Sequence, residues 1–247
     1  MKKILLLNVI LCSIIIASCG GTKLPDSTNP EEIFNAGLKF LEDEDYLEAK
    51  QMFELIILQY PASQFADDAQ YYQGEVSYRR EEFIMAAFNY NRLRRQYPGS
   101  PFSKDALFKS ALSYYRISPP YDRDQENTRK AIEAFQEFQY LYPDDKLKQD
   151  ASDKIQEMRN KLAYREYFTG LLYRKLDSPR SSVIYFDAVI NNYQDTDYYE
   201  PAFFSKIEVL IFMKKSKEAE SIIIAYKSNF PKSDKISELD KMLSNIK

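Results

Sequence analysis

The chain has 247 residues, 45% of them hydrophobic and 29% charged, with 6 Gly, 2 Cys and neither His nor Trp. That length carries one or two domains with a real core, and the composition excludes collagen-like and disulfide-stapled scaffolds. A formal net charge of −3 disfavours nonspecific nucleic-acid binding. The absence of histidine removes the commonest general base, the commonest zinc ligand and every Ser-His or Cys-His nucleophile pair.

Lys2 and Lys3 precede a nearly continuous apolar run from Ile4 to Ala17, interrupted by Asn8, Cys12 and Ser13. A spanning helix needs roughly 20 residues, so this run reads as the core of a signal peptide over residues 1–18. Ile16-Ala17-Ser18-Cys19 looks like a lipobox, in which small residues precede a cysteine that is acylated before cleavage. Cys19 is then the lipidated first residue, and loss of Cys12 with the leader leaves one cysteine and no intramolecular disulfide. Several acyl chains, each methylene contributing about 0.8 kcal/mol, anchor a protein stably where one chain does not. Gly20 follows the cysteine in place of an aspartate resembling an inner-membrane retention signal, which by that resemblance places the protein on the periplasmic face of the outer membrane. Residues 19–28 form a flexible tether. Folded structure starts at Asn29-Pro30-Glu31-Glu32, a capping residue, a proline suited to the first helical position and two carboxylates at the positive end of the helix dipole.

An aromatic followed by proline then punctuates the chain at Tyr60-Pro61, Tyr97-Pro98, Tyr142-Pro143 and Phe230-Pro231, with Tyr193-Gln194 as a degenerate fifth mark. Before each mark stands a small residue, with alanine 12 residues later, an aromatic 16 later and proline 24 later: Gly37, Ala49, Phe53 and Pro61, then Gly74, Ala86, Tyr90 and Pro98. Gly170, Ser182, Phe186 and Gln194 fit with two relaxed positions, and Ile207, Ala219, Ile223 and Pro231 fit more loosely. These spacings match the tetratricopeptide repeat. Small residues let two helices approach, aromatics fill the adjacent gap and proline ends the second helix. The fold expected is all-α, an α-solenoid of about five tetratricopeptide-type helix pairs.

Two departures carry information. In the third unit Ala131 follows Ala111 by 20 residues, an insertion of eight that falls in residues 117–128, where Pro119 and Pro120 force an exposed loop. Gly170 follows Pro143 by 27 residues where the corresponding separation in the other units is 13. The excess of 14 is close to four helical turns, so a helix can lengthen there without rotating its buried face. One long helix is therefore expected over 150–175, connecting the third and fourth units. N-terminal repeats 1–3 are expected over 29–143, and the connecting helix with repeats 4–5 over 144–247.

On that helix, spacing puts Lys154, Lys161 and Arg165 near one stripe and Arg159 on its neighbour, by default a solvated face. Arg123 and Asp124 read equally as an ion pair within the loop or as a partner contact. Tyr71-Tyr72 and Tyr114-Tyr115 are adjacent on their helices, about 100° apart, so both members rarely bury fully and are candidates to line a groove. Glu42-Asp43-Glu44-Asp45 falls in the turn between the first paired helices and lacks the spacing and glycine of an EF-hand. No paired acid/base carboxylates, glycine-rich phosphate loop, Cys-His metal spacing or nucleic-acid motif occurs, so neither catalysis nor a metal nor a cofactor is expected.

Asp122-Arg123-Asp124 with Thr128-Arg129-Lys130-Ala131 and Phe135, then Lys161-Leu162-Ala163 with Glu166-Tyr167 and Tyr173, together with the lipobox, the loop and the long helix, resemble the BamD family of outer-membrane β-barrel assembly lipoproteins. Lys161 stands where the family is expected often to carry arginine, and lysine cannot fork bidentately to a carboxylate. The resemblance implies a nonenzymatic scaffold. It implies that Lys154, Arg159, Lys161, Arg165, Arg123 and Asp124 bind a BamA-like protein through its POTRA region. It also implies that the N-terminal repeats receive unfolded outer-membrane protein precursors, for which Tyr71, Tyr72, Tyr114 and Tyr115 are the candidate groove residues. The alternative is a tetratricopeptide lipoprotein, a pilotin or adaptor, of another secretion, pilus or cell-wall system.

Overall fold

The computed structural model describes residues 27–246; the signal peptide and Cys19 lie outside the described residues. Eleven helices fill the described residues, with no strand among them: α1 (Pro30–Glu42), α2 (Tyr46–Gln59), α3 (Ala66–Arg79), α4 (Phe83–Gln96), α5 (Ser103–Arg116), α6 (Glu126–Leu141), α7 (Lys148–Lys175), α8 (Pro179–Asn192), α9 (Tyr199–Phe212), α10 (Ser216–Asn229) and α11 (Ile236–Ile246). They pair in order, α1 with α2, α3 with α4, α5 with α6, α7 with α8 and α9 with α10, the all-α tetratricopeptide arrangement expected. The chain divides into two compact units after Phe102, the first holding α1–α4 and the second α5–α11.

The repeat spacing has a direct structural cause. A Cβ on Gly37 would lie 2.8 Å from the Phe53 ring, one on Gly74 2.5 Å from Tyr90 and one on Gly170 2.6 Å from Phe186. Each of these aromatics is fully buried in space that any side chain on its glycine would occupy. Ser182, the relaxed position of the fourth unit, is also buried, and its Oγ donates to the carbonyl of Gly170 at 2.7 Å. A hydroxyl is therefore accommodated where the other units have alanine because the crossing itself offers an acceptor.

Turns repeat as faithfully as helices. Tyr60, Tyr97, Tyr142, Tyr193 and Phe230 end their helices with φ between −125° and −133°, a φ compatible with a following proline. Tyr193 adopts it without a proline. The carbonyl of each accepts an N–H three residues on, from Ser63, Ser100, Asp145, Thr196 and Ser233. Within four of the pairs, the connecting turn contains a left-handed non-glycine residue: Glu44, Glu81, Asp177 and Lys214. Glu44 lies in the acidic run, which is the α1–α2 turn.

The long helix begins two residues before its expected start, at Lys148. Its extra length does not simply prolong one buried face. Ala151, Met158 and Leu162 pack with Leu107, Phe108, Phe135 and Phe138 of α5 and α6. Ala163 packs with Phe186, Val189 and Ala202 of α8 and α9, on the side where Gly170 meets Phe186. At about 100° per residue the two buried sets lie roughly 100° apart around the axis. One half of α7 completes the core of the preceding pair, the other half that of its own.

Candidate partner-binding surface

The loop that holds the eight-residue insertion is shorter than expected, because α6 already begins at Glu126 and leaves residues 117–125 as loop. Gln125 is fully buried and organises it. Its Nε2 donates to the carbonyls of Pro120 at 2.7 Å and Arg123 at 3.1 Å, and its Oε1 accepts from Thr128 Oγ1 at 2.7 Å. One carboxamide thus ties two points of the loop to the first turn of α6. Asp124 Oδ1 accepts the N–H of Glu126 at 2.8 Å, satisfying a free donor at the helix start. Arg123 and Asp124 are both exposed and form no ion pair with each other among the described residues.

The loop is fastened to α7 at two points. The ring of Tyr121 meets Tyr164 edge-on at 4.6 Å and Phe168 at 5.6 Å. Ser118 Oγ lies 2.6 Å from Thr128 Oγ1 and accepts a hydrogen bond from Lys161 Nζ at 2.5 Å. Lys161 is half-buried, and that burial pushes its pKa down, with an opposing attraction from Glu157. Among the described residues it reaches no carboxylate. A partly desolvated ammonium satisfied by a hydroxyl alone still lacks a counter-ion.

The other basic residues singled out on α7 divide by direction. Lys154 pairs with Asp150 at 2.8 Å and stands 5.2 Å over the ring of Tyr115, on the side facing α5. Arg159 turns to the α8–α9 connection, where Nε and Nη2 fork to Asp195 at 2.6 and 2.5 Å and Nη2 also reaches the Asn192 carbonyl at 2.8 Å. Those hydrogen bonds raise the pKa of Arg159 and hold Asp195 below the ordinary carboxylate range. Arg165 is half-buried; its carbonyl accepts from Thr169 Oγ1 at 2.7 Å, while its guanidinium makes no hydrogen bond or ion pair among the described residues. Of the cations singled out in the sequence, Lys161, Arg165 and Arg123 have no ion-pair partner among the described residues, whereas Lys154 and Arg159 are committed to their own chain.

The four tyrosines are engaged in packing. Tyr71 is buried and stacked on Phe102 at 4.4 Å, while half-buried Tyr72 stacks on Phe53 at 5.6 Å and meets Phe34 edge-on. Tyr114 lies under Lys130 Nζ at 5.9 Å. Tyr115 donates its hydroxyl to Glu157 at 2.6 Å, which together with burial pushes its pKa up to about 12. Tyr121, Gln125, Ser118 and Asp195 were not singled out by sequence reasoning, since their roles depend on neighbours 3 to 43 residues away. Cys19, the candidate lipidation site, is outside the described residues, and no helix among the described residues is long and apolar enough to cross a membrane.

Residues 26–223 match the family YfiO, described as outer membrane lipoprotein. The outer membrane protein assembly factor BamD of Rickettsia prowazekii is 25% identical over 99% of each chain. That of Caulobacter vibrioides is 25% identical over 90% of this chain and 74% of its own. A solved structure, a TPR repeats protein of Bacteroides fragilis, is 12% identical with a TM-score of 0.45, over 89% of this chain and 98% of that one.

Proposed function

The chain belongs to the YfiO family of outer membrane lipoproteins, and from that membership we propose that it is a nonenzymatic scaffold of outer-membrane β-barrel assembly. In this reading residues 1–18 are removed, Cys19 carries the lipid anchor on the periplasmic face of the outer membrane, and residues 19–28 are the tether. Repeats over 29–143 receive unfolded barrel precursors. The segment 144–247, with the loop and its contact on α7, holds a BamA-like protein by its POTRA region.

The observation that carries the partner contact is the junction of the loop with α7. The stretch around Arg123 and the stretch around Lys161 resemble the family separately in sequence, and they meet through the Lys161–Ser118 hydrogen bond and the Tyr121–Tyr164 ring contact. Lys161, Arg165 and Arg123 have no ion-pair partner among the described residues, and a partner supplying carboxylates would complete them. Asp124 shares the loop as a local cap, while Lys154 and Arg159 support the surface by fixing α7 to its neighbours.

The test is affinity capture of the lipidated protein from crosslinked, detergent-solubilised envelopes, comparing wild type with the double charge reversal Lys161→Glu and Arg165→Glu. Recovery of a POTRA-bearing barrel protein that the reversal abolishes, with the helical signal of the purified variant unchanged, supports the reading. Depletion of the protein is expected to accumulate unfolded barrel proteins. Normal barrel levels after depletion, with a secretin, pilus or wall component as the captured partner, would sink it.

A further inference from the structure

The turns within the helix pairs share one backbone form and differ in what they carry. Around its left-handed residue the α1–α2 turn reads Glu42-Asp43-Glu44-Asp45, whereas the α7–α8 turn reads Lys175-Leu176-Asp177-Ser178 and the α9–α10 turn Phe212-Met213-Lys214-Lys215. Asp43, Leu176 and Met213 are the equivalent residues that close their helices. The fold accepts a wholly acidic turn at this place, so the apolar and basic side chains of the later turns are not dictated by the backbone.

Both later turns belong to the second unit, and two adjoining cavities connect them. One, of ≈ 240 Å³, is lined by Arg174, Pro179, Glu208, Val209 and Phe212; the other, of ≈ 310 Å³, has Asp177, Arg180 and Met213 in its wall, and Pro179 borders both. Two apolar side chains project at this edge, Leu176 at 61% and Phe212 at 68% exposed, and their hydration forfeits stability that burial would supply. Charge follows the same division. Arg174 pairs with Glu208 at 2.6 Å and Lys215 with Glu218 at 2.7 Å. Lys175, Arg180, Lys214 and Lys217 are exposed, and their side chains make no hydrogen bond or ion pair among the described residues. In a chain of formal net charge −3, this edge is left basic.

We propose that this edge of the second unit docks on an anionic phospholipid surface, with Phe212 and Leu176 entering the headgroup layer and the free cations meeting lipid phosphates. The inference rests on the anchoring of Cys19 proposed above, which holds the chain beside a bilayer. Apolar tips flanked by lysine and arginine are the means by which a protein lies on a membrane without spanning it. Such a surface supplies an apolar layer and a field of negative charge together. Side chains projecting from two separate turns fit a surface of that kind better than one shaped partner, since no single groove gathers them.

The test uses the purified lipidated protein, its acylation verified by mass, in vesicles of phosphatidylcholine alone or mixed with phosphatidylglycerol. Acylation of Cys19 and loss of Cys12 leave no other thiol, so Leu176→Cys takes a single bimane label, read by quenching from lipids brominated along their acyl chains. Quenching is expected with phosphatidylglycerol and not without it, and high salt should reverse it. A label at Tyr140→Cys, a position 84% exposed at the end of α6 remote from the α5–α6 connection, should stay unquenched in both. Lys175→Gln with Lys214→Gln should lower the ratio of docked to undocked protein by about thirtyfold, at about fivefold per cation, and Phe212→Ser should lower it independently, with thermal midpoints unchanged. A label that stays in water in both vesicles, or is quenched equally in the neutralised variant, overturns the docking surface while the anchor stands. Shielding that appears only when a POTRA-bearing protein is added assigns the edge to a protein and overturns it as well. Protein found without acyl chains defeats the anchor, and with it the membrane at this edge.

Discussion

Gly74→Ala would place a Cβ 2.5 Å from Cε1 and 2.6 Å from Cδ1 of Tyr90, where carbon contacts are normally 3.5–4.0 Å. The ring would have to retreat by about 1 Å on that scale, and its surroundings oppose the move. Tyr90 is fully buried, its hydroxyl donates to Glu75 Oε1 at 2.5 Å, and its ring meets Tyr71 at 5.7 Å. Overpacking at such a site costs toward the upper end of its range, about 3 kcal/mol, and alanine returns about 1 kcal/mol of helix propensity over glycine. A net destabilisation of about 2 kcal/mol is expected, which at an m-value near 2 kcal/mol/M lowers the urea midpoint by about 1 M. The assay is urea denaturation followed by far-ultraviolet circular dichroism, with tyrosine fluorescence as a second probe. Gly99→Ala is the internal control: nothing lies within 4 Å of its Cβ and its φ is not positive, so the same chemical change should be neutral or stabilising by up to about 1 kcal/mol. In the double variant Gly74→Ala with Tyr90→Ala, the new methyl has room, and the two effects should combine to less than their sum. Equal midpoints for wild type and Gly74→Ala would refute the reading of the glycine as a steric requirement.

Three further outcomes are expected. Asp195 has a pKa depressed chiefly by its hydrogen bonds from Arg159, so its stabilisation is present above the unfolded value of about 3.9 and is lost as pH falls through the lower folded value. Asp195→Asn should accordingly flatten the acid limb of stability below about pH 4, as measured by urea midpoints across pH, and an unchanged limb would discount the Arg159 contact. Lys161→Met removes an ammonium whose pKa burial pushes down at the expense of one hydrogen bond to Ser118; stability should change by less than about 1 kcal/mol while capture of the partner falls. Lys214 holds a left-handed φ of 58° in the α9–α10 turn, and Lys214→Gly should raise the thermal midpoint by the relief of about 1 kcal/mol of backbone strain, whereas a lower midpoint would show that the lysine side chain contributes more than its conformation costs.

The repeat itself was legible because close packing imposes it on composition. Gly37, Gly74 and Gly170 announced helix crossings 16 residues before Phe53, Tyr90 and Phe186, and the structure puts each ring where the missing Cβ would be. Pro119 and Pro120 likewise announced a loop, and the excess of 14 residues between Pro143 and Gly170 announced one long helix. The candidate surface was legible only in part. Spacing along α7 grouped Lys154, Lys161 and Arg165, yet Lys154 and Arg159 turn out to be engaged with Asp150, Tyr115 and Asp195. Tyr71 and Tyr72 read as half-exposed because the sequence does not reveal that Phe102 and Phe53 cover them.

Local rules operate between residues a turn or a repeat apart, and these the sequence determined by itself: where helices begin and end, which positions must be small, where the chain must loop. The tertiary structure alone decided which charges find partners. Arg159 meets an aspartate 36 residues away and Lys161 a serine 43 residues away, and whether a cation is neutralised depends on the few ångströms around its tip. It also decided that α7 serves two cores from two faces, since a helix buries whatever its neighbours cover, and those neighbours lie on either side of it in the chain.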